Sequence, residues 1–246
     1  HYTSNYTSII SRGSAVKEEW QKGMLSETVR QYNFINNNLL LNYNTDISSD
    51  WNLNLLAGLS TENIDVKTTS NRAQNFILPD FLSLNNAKVE DKFSYTNLNQ
   101  VRRLGVFGDA KVDYKNLAFF GVTLRNDWSS TLPIQNRSFM YPSFSGSLIF
   151  TEFFEKNDIL NFGKLRASWA EVGKDAPAYQ TSTYLKDVQM TVGGGFRNEW
   201  TIGNPDLRPE KTQSFEIGTD LRLFKNKLGV EFTYYNNKSV DQILQP

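Results

Sequence analysis

The chain of 246 residues is 39% apolar and 21% charged, within the range of folded proteins, and its Lys plus Arg equal its Asp plus Glu at 26 each. That balance supplies no excess positive field for a phosphate backbone, so no nucleic-acid partner is expected. With no cysteine and a single histidine, His1, the sequence offers no disulfide framework, thiolate or zinc site and no imidazole-based triad, and no metal or cofactor is expected.

In chain order, residues 1–26 are polar and loosely patterned and read as loop or partial strand, while 27–246 read as a succession of strands. Between 29 and 47, Ile35, Leu39, Leu41, Tyr43 and Ile47 share one parity, and Asn38, Asn42 and Asn44 share the other. That period of two is a strand signal. Ser48-Ser49-Asp50 turns the chain into Trp51, Leu53, Leu55, Ala57 and Leu59, a partner strand that fades into polar residues toward Ser70. Residues 71–97 lose the alternation and contain Pro79-Asp80 and Asn85-Asn86, which predicts a long loop with a helical turn near 81–84.

Alternation returns at Leu104, Val106, Gly108, Ala110 and Val112, and again after Tyr114-Lys115-Asn116 at Ala118, Phe120, Val122, Leu124 and Trp128. A loop over 129–138 leads to a strand near 139–151, and 152–161 could hold a helical turn. Leu165, Ala167 and Trp169 mark the next strand, followed by the longest loop, 174–209. Phe215, Ile217, Thr219, Leu221 and Leu223 then alternate with Glu216, Gly218, Asp220 and Arg222. After a turn at Lys225-Asn226-Lys227, Leu228, Val230, Phe232 and Tyr234 close the pattern.

About eight antiparallel strands in an up-and-down meander result. Their connections alternate in length, with short turns at one end and long loops at the other, as in an outer-membrane barrel with short periplasmic turns and long extracellular loops. No apolar run reaches the ~18 residues of a spanning helix. Two rivals share the strand alternation: a soluble or surface β-sandwich binding carbohydrate or protein, which has no reason to segregate its connections this way, and a small eight-stranded barrel.

Between the longest loop and the clearest strand lies Asn204-Pro205-Asp206-Leu207-Arg208-Pro209-Glu210-Lys211-Thr212, whose prolines remove two donors and whose Asn and Asp favour turns. This stretch, with Ser214-Phe-Glu-Ile-Gly-Thr-Asp220, Gly229-Val-Glu-Phe-Thr-Tyr-Tyr235, Phe162-Gly-Lys-Leu-Arg-Ala-Ser-Trp-Ala-Glu-Val-Gly-Lys-Asp-Ala-Pro177 and Tyr141-Pro-Ser-Phe-Ser-Gly-Ser-Leu148, resembles the SusC/RagA-type TonB-dependent outer-membrane transporters. The resemblance runs from about residue 98 to 244 and covers part of the barrel, not the plug or the segment that contacts TonB. It implies a segment of a barrel of about 22 strands, not closed on itself. It also implies import of glycans or peptides across the bacterial outer membrane, a SusD-like surface lipoprotein and the TonB complex as partners, and no enzymatic activity.

Within this reading Asn204, Pro205, Asp206, Leu207, Pro209 and Glu210 shape the rim of a long loop. Tyr179, Tyr184, Phe196 and Trp200 in that loop offer aromatic faces to a ligand or partner protein, or pack among themselves. Trp128 and Trp169, near the loop-side ends of their strands, suit an aromatic girdle at the lipid bilayer or, in a sandwich, the core. Gly193-Gly194-Gly195 lacks the Lys-Ser/Thr of a phosphate cradle and reads as a flexible loop. Glu152 with Glu155 and Asp206 with Glu210 read as turn and cap residues rather than acid/base pairs. Asn5, Asn136 and Asn237 begin chance matches to the N-glycosylation pattern.

Overall fold

A computed structural model describes residues 2–10, 22–79, 81–155, 158–188, 195–198 and 202–244. Its strands, in chain order, are β1 (Tyr2–Ile10), β2 (Met24–Ser48), β3 (Trp51–Gln74), β4 (Lys92–Tyr114), β5 (Ala118–Ser129), β6 (Ser138–Ile149), β7 (Leu160–Lys174), β8 (Leu185–Val188), β9 (Gly195–Asn198), β10 (Glu210–Leu223) and β11 (Leu228–Val240). Nine of them form one sheet in the order β1-β2-β3-β4-β5-β6-β7-β10-β11, and β8-β9 is a separate hairpin within the longest loop. The order is linear, with β1 and β11 at its two ends, so the sheet is an open meander and not a closed small barrel.

Two compact units divide the chain: residues 37–61 with 102–246, and residues 1–36 with 62–101. In the first of these, the ladder registers sort the side chains onto two faces. Gly108, Leu124 and Pro142 are cross-strand neighbours, as are Ala110, Val122 and Phe144, and Phe144, Trp169 and Phe215 continue that row across β7 and β10. Ile217 with Tyr234, and Leu221 with Val230, extend the same face to β11. Leu39, Leu41, Tyr43, Phe120, Leu124, Phe215, Ile217, Val230 and Phe232 are all exposed. A groove on this face is walled by Leu41, Tyr43, Leu55, Ala57, Val122 and Leu124.

The opposite face is polar and internally bonded. Thr123 Oγ1 donates to Asp109 at 2.8 Å, and Arg166 Nη2 donates to Glu231 and Thr233, each at 2.6 Å. Arg125 donates to Asp127 at 2.9 Å and to Ser60 at 3.1 Å while its guanidinium lies 5.2 Å from the Phe107 ring centroid, and the Tyr141 hydroxyl donates to Asp127. Gly58 makes room for that Phe107 ring, because a Cβ at Gly58 would collide with it.

Short turns lie at one end of these strands. Lys115 N donates to Asp50 O at 2.8 Å and its Nζ pairs with Asp50 at 3.2 Å, tying the β2–β3 turn to the β4–β5 turn. The Asp50 carboxylate, as acceptor and counter-charge, raises the Lys115 ammonium above the usual lysine value. Trp51 and Tyr114 meet there with ring centroids 4.6 Å apart.

The unit of 1–36 and 62–101 differs from the sequence expectation. Residues 2–10, expected as loop or partial strand, form β1 and pair antiparallel with β2 from Tyr2↔Tyr32 to Ile10↔Met24. β3 and β4 run into both ends of the stretch expected as a loop over 71–97, which leaves 75–91 as the connection. The reason is physical: here both faces are polar, so the alternation disappears while the ladder continues. Cross-strand side-chain bonds accompany it, with Ser94 Oγ donating to Asn71 and Gln100 Nε2 donating to Asp65, both at 2.8 Å. The helical turn expected at 81–84 is instead a 3₁₀ turn at Val89–Asp91. Buried Asn86 organises the loop: its amide donates to Leu78 O and Phe81 O, and its Oδ1 accepts from Leu78 N.

Replacing Gly58 with Ala should displace Phe107 and loosen Arg125, lowering stability by about 1–3 kcal/mol. The urea midpoint measures this, and adding Phe107→Ala to Gly58→Ala should recover part of the loss. An unchanged midpoint in the single variant would show that the close approach carries no constraint.

Candidate functional site

Among the described residues no catalytic constellation stands out, and no group of three or more His, Asp or Glu is placed to hold a metal ion. The most built-up region outside the ladders is the loop end of β5, β6, β7 and β10, where the motif 204–210 sits. Asp206 N donates to Asn204 Oδ1 at 2.9 Å and Leu207 N to Asn204 O at 3.3 Å, an Asn-initiated turn of the kind the sequence suggests. The carbonyls of the motif are captured by side chains of the 130–137 loop. Gln135 Nε2 donates to Pro205 O at 2.8 Å, and Asn136 Nδ2 donates to Asp206 O and Leu207 O, each at 3.1 Å.

Leu207 is the apolar centre of this arrangement. It is buried with Leu132 and Ala176, and Phe139 and Ile243 pack against the three. Glu210 Oε1 accepts from Ile243 N at 2.8 Å, fastening the chain after β11 to the same point. Asp175 secures the other end of the long loop. Arg103 holds it in a two-pronged pair (Nε to Oδ2 at 2.7 Å, Nη2 to Oδ1 at 3.0 Å), and the Ser129 and Thr131 hydroxyls also donate to its Oδ2. Burial works to raise the Asp175 carboxyl, but the hydrogen bonds from Arg103 and Ser129 outweigh it and hold the group below the usual carboxylate value.

Both ends of the 174–209 loop are therefore pinned to one platform. Of the four aromatics expected to meet a ligand or partner, Tyr179 and Tyr184 are exposed, Tyr179 at positive φ. The Phe196 backbone lies in β9, while Trp200 falls outside the described residues, as do Gly193 and Gly194. The structure does not gather the four into one described site. Trp128 is the register partner of Leu104 and Ser138. Trp169 stacks on Phe144 at 6.0 Å, and the next residue of its parity is Glu171, which accepts from Lys211 and Gln213, each at 2.9 Å. Sequence reasoning missed the platform: Asn136 drew notice only as a glycosylation match, Gln135 and Asp175 lie in loops with no periodic signal, and Ser129 is the last residue of β5, where the alternation has ended.

Asp175→Asn should cost about 1–3 kcal/mol of local stability, since it weakens the acceptor for two hydroxyls and a guanidinium. It should also speed protease nicking within 178–203. In the unmodified chain the sign follows from the lowered carboxyl: its stabilisation is complete above the unfolded carboxylate value near ~3.9 and is lost as pH falls through the lower folded value. Nicking by an acid-active protease should therefore rise below about pH 4 in the parent and stay flat in Asp175→Asn. A pH-independent parent would contradict the assignment.

The chain matches, over residues 1–246, the family described as TonB dependent receptor-like, beta-barrel. Two relatives from Formosa agariphila are similar to it. TonB-dependent receptor P3 is 27% identical over 230 residues, covering 89% of this chain and 23% of that protein. TonB-dependent receptor P26 is 24% identical over 217 residues, covering 85% and 22%. In fold the chain is like the RagAB peptide transporter (TM-score 0.84, 18% identity, 96% of this chain and 27% of that one). It is also like the RagAB peptide importer in the open-open state (TM-score 0.79, 19% identity, 95% and 26%). The chain thus spans about a quarter of the length of each of these proteins. Matched along its entire length, it belongs to the β-barrel family of the TonB-dependent receptors.

Proposed function

We propose that this chain forms part of the barrel wall and extracellular rim of an outer-membrane TonB-dependent importer of peptides or glycans. The observation that carries the proposal is the apolar face of the unit 37–61 with 102–246. Soluble monomers rarely leave contiguous apolar patches above a few hundred Å² in water. Here an entire face of alternate strand residues is exposed, and the only apolar cluster among the described buried residues, around Leu207, is a small one in the loops. A sandwich would have buried that face; a bilayer covers it.

The dimensions agree. From Tyr114 back to Leu104, β4 carries apolar residues at each step of one parity; at about 3.4 Å per residue and the usual tilt this spans on the order of 25 Å, the height of a barrel's apolar band. The band ends at Asn37 on β2, Thr61 on β3, Arg102 on β4, Ser138 on β6, Glu171 on β7 and Gln213 on β10. Trp51 and Tyr114 stand at its turn end, and Trp128 and Trp169 at its loop end, where indole and phenol rings favour the headgroup region. The internally bonded polar face lines the lumen.

RagAB, similar in fold, is a peptide transporter, which favours peptide cargo over glycan. A SusD-like surface lipoprotein and the TonB complex complete it as partners. Support for the former comes from the 75–91 loop, which displays exposed Ile77, Leu78, Phe81, Leu82 and Val89 on a frame fixed by Asn86. No residue is assigned a catalytic role.

In the intact receptor, Val122→Arg should cost roughly 2–4 kcal/mol and Thr123→Arg, one residue along and facing the lumen, far less. Urea unfolding in vesicles measures both, and equal tolerance would remove the face assignment. Phe81→Asp combined with Leu82→Asp should reduce co-purification of the lipoprotein severalfold without changing barrel yield; undiminished recovery would place its docking elsewhere.

A further inference from the structure

The β6–β7 connection differs from the other turns of its end. Those at 49–50, 115–117 and 224–227 are short and mostly polar, whereas 150–159 begins with Phe150-Thr151-Glu152-Phe153-Phe154. Phe150–Phe153 is one 3₁₀ turn. With three residues per turn, side chains at i and i+3 lie one above the other, so Phe150 and Phe153 share a side, and Thr151 and Glu152 occupy the other two.

The side shared by the two phenylalanines is fixed by Gly163. Gly163 is the register partner of Leu221, itself opposite Val230, so it belongs to the apolar face. The Phe150 ring lies directly over Gly163, where a Cβ would collide with it. Buried Thr151 locks the turn in that orientation: Gly163 N donates to its Oγ1 at 3.0 Å. Phe150 therefore continues the apolar face two residues past Leu148, which is in register with Ala118 and, through it, with Tyr114 of the Trp51–Tyr114 pair. Phe153, 62% exposed, points the same way one turn further on, and Phe154 beside it is 64% exposed.

We infer that the β6–β7 turn is a lipid anchor, with Phe150 and Phe153 inserted among the headgroups and upper acyl chains of the periplasmic leaflet. The inference rests on the barrel-wall reading above. Bilayer lipid is the occupant because the patch is continuous with the apolar face, and a partner protein would have to contact lipid-facing positions to reach it. Phenylalanine rings at this depth resist vertical sliding of the barrel, since moving them into water exposes apolar surface and moving them inward drags Glu152 after them.

The test uses the intact receptor in phosphatidylethanolamine and phosphatidylglycerol vesicles, with a nitroxide attached to Phe153→Cys. Phe153 is mostly exposed, so the change leaves the Phe150–Gly163 and Thr151 contacts in place. Oxygen concentrates in lipid and a nickel chelate in water, and power saturation reads the exposure to each. Leu124→Cys on the apolar face and Lys227→Cys in the β10–β11 turn serve as references. The expected result is an oxygen-to-chelate ratio at Phe153→Cys severalfold above that at Lys227→Cys and below that at Leu124→Cys. A ratio equal to that at Lys227→Cys would overturn the anchor and leave the wall intact, and shielding from both reagents would overturn it in favour of a protein contact. Failure of Leu124→Cys itself to favour oxygen would overturn the wall reading and the anchor with it.

Discussion

A backbone in hydrocarbon has no water to bond with, so each amide and carbonyl must find its partner within the protein, at several kcal/mol for each one left bare. In a β structure that partner is the next strand. Once the ladder is obligatory, side chains have only two directions available, and the chemistry of each direction follows from the solvent it meets. The uninterrupted pairing from β2 to β11, the apolar parity on one side and the bonded charges on the other are consequences of that single requirement. Stability here draws little on a buried core. The large apolar side chains are mostly exposed, and the small cluster around Leu207 serves the loops instead.

The polar face shows how charge is kept without a binding role being written into each residue. Arg125 and Tyr141 bond Asp127, Arg125 also bonds Ser60, and Arg166 pairs with Asp220 and donates to Glu231 and Thr233. Pairs this exposed add little stability individually. Their value lies in presenting a hydrated wall whose charges are already oriented. The loop platform works differently. Asp175 is held by Arg103, Ser129 and Thr131, and the carbonyls of 205–207 by Gln135 and Asn136, so the long loop departs and returns at fixed points, with Tyr179 and Tyr184 exposed between them.

What was legible in the sequence follows from where the solvent changes across a strand. Between Trp51 and Leu59, or Phe215 and Leu223, one side is apolar and the other polar, and the contrast prints a period of two that reads directly as a strand with two distinct faces. Beyond Asn37, Thr61 and Arg102 both sides are polar, the contrast vanishes, and β1, the end of β3 and the start of β4 were unreadable although all three are strands of the sheet. The division of the chain into two units falls at those three residues. The motif 204–210 was legible as a turn through its prolines and Asn204, but its purpose was not: the donors come from Gln135 and Asn136, some 70 residues away, and the apolar seat of Leu207 is assembled from Leu132, Phe139, Ala176 and Ile243 in separate segments. The lipid-facing turn at Phe150–Phe153 was hidden for another reason, since its orientation depends on Gly163 lacking a side chain.

The central claim is that one parity of these strands faces lipid. It is tested most directly by labelling the intact receptor in vesicles with a lipid-soluble diazirine and locating the carbene insertions along β10 and β11 by mass spectrometry. The account predicts insertion at Phe215, Ile217, Leu221, Val230, Phe232 and Tyr234, little at Glu216, Gly218, Asp220, Glu231 and Thr233, and an end to the alternation at Gln213. Labelling spread evenly over both parities, or absent from both, would contradict it.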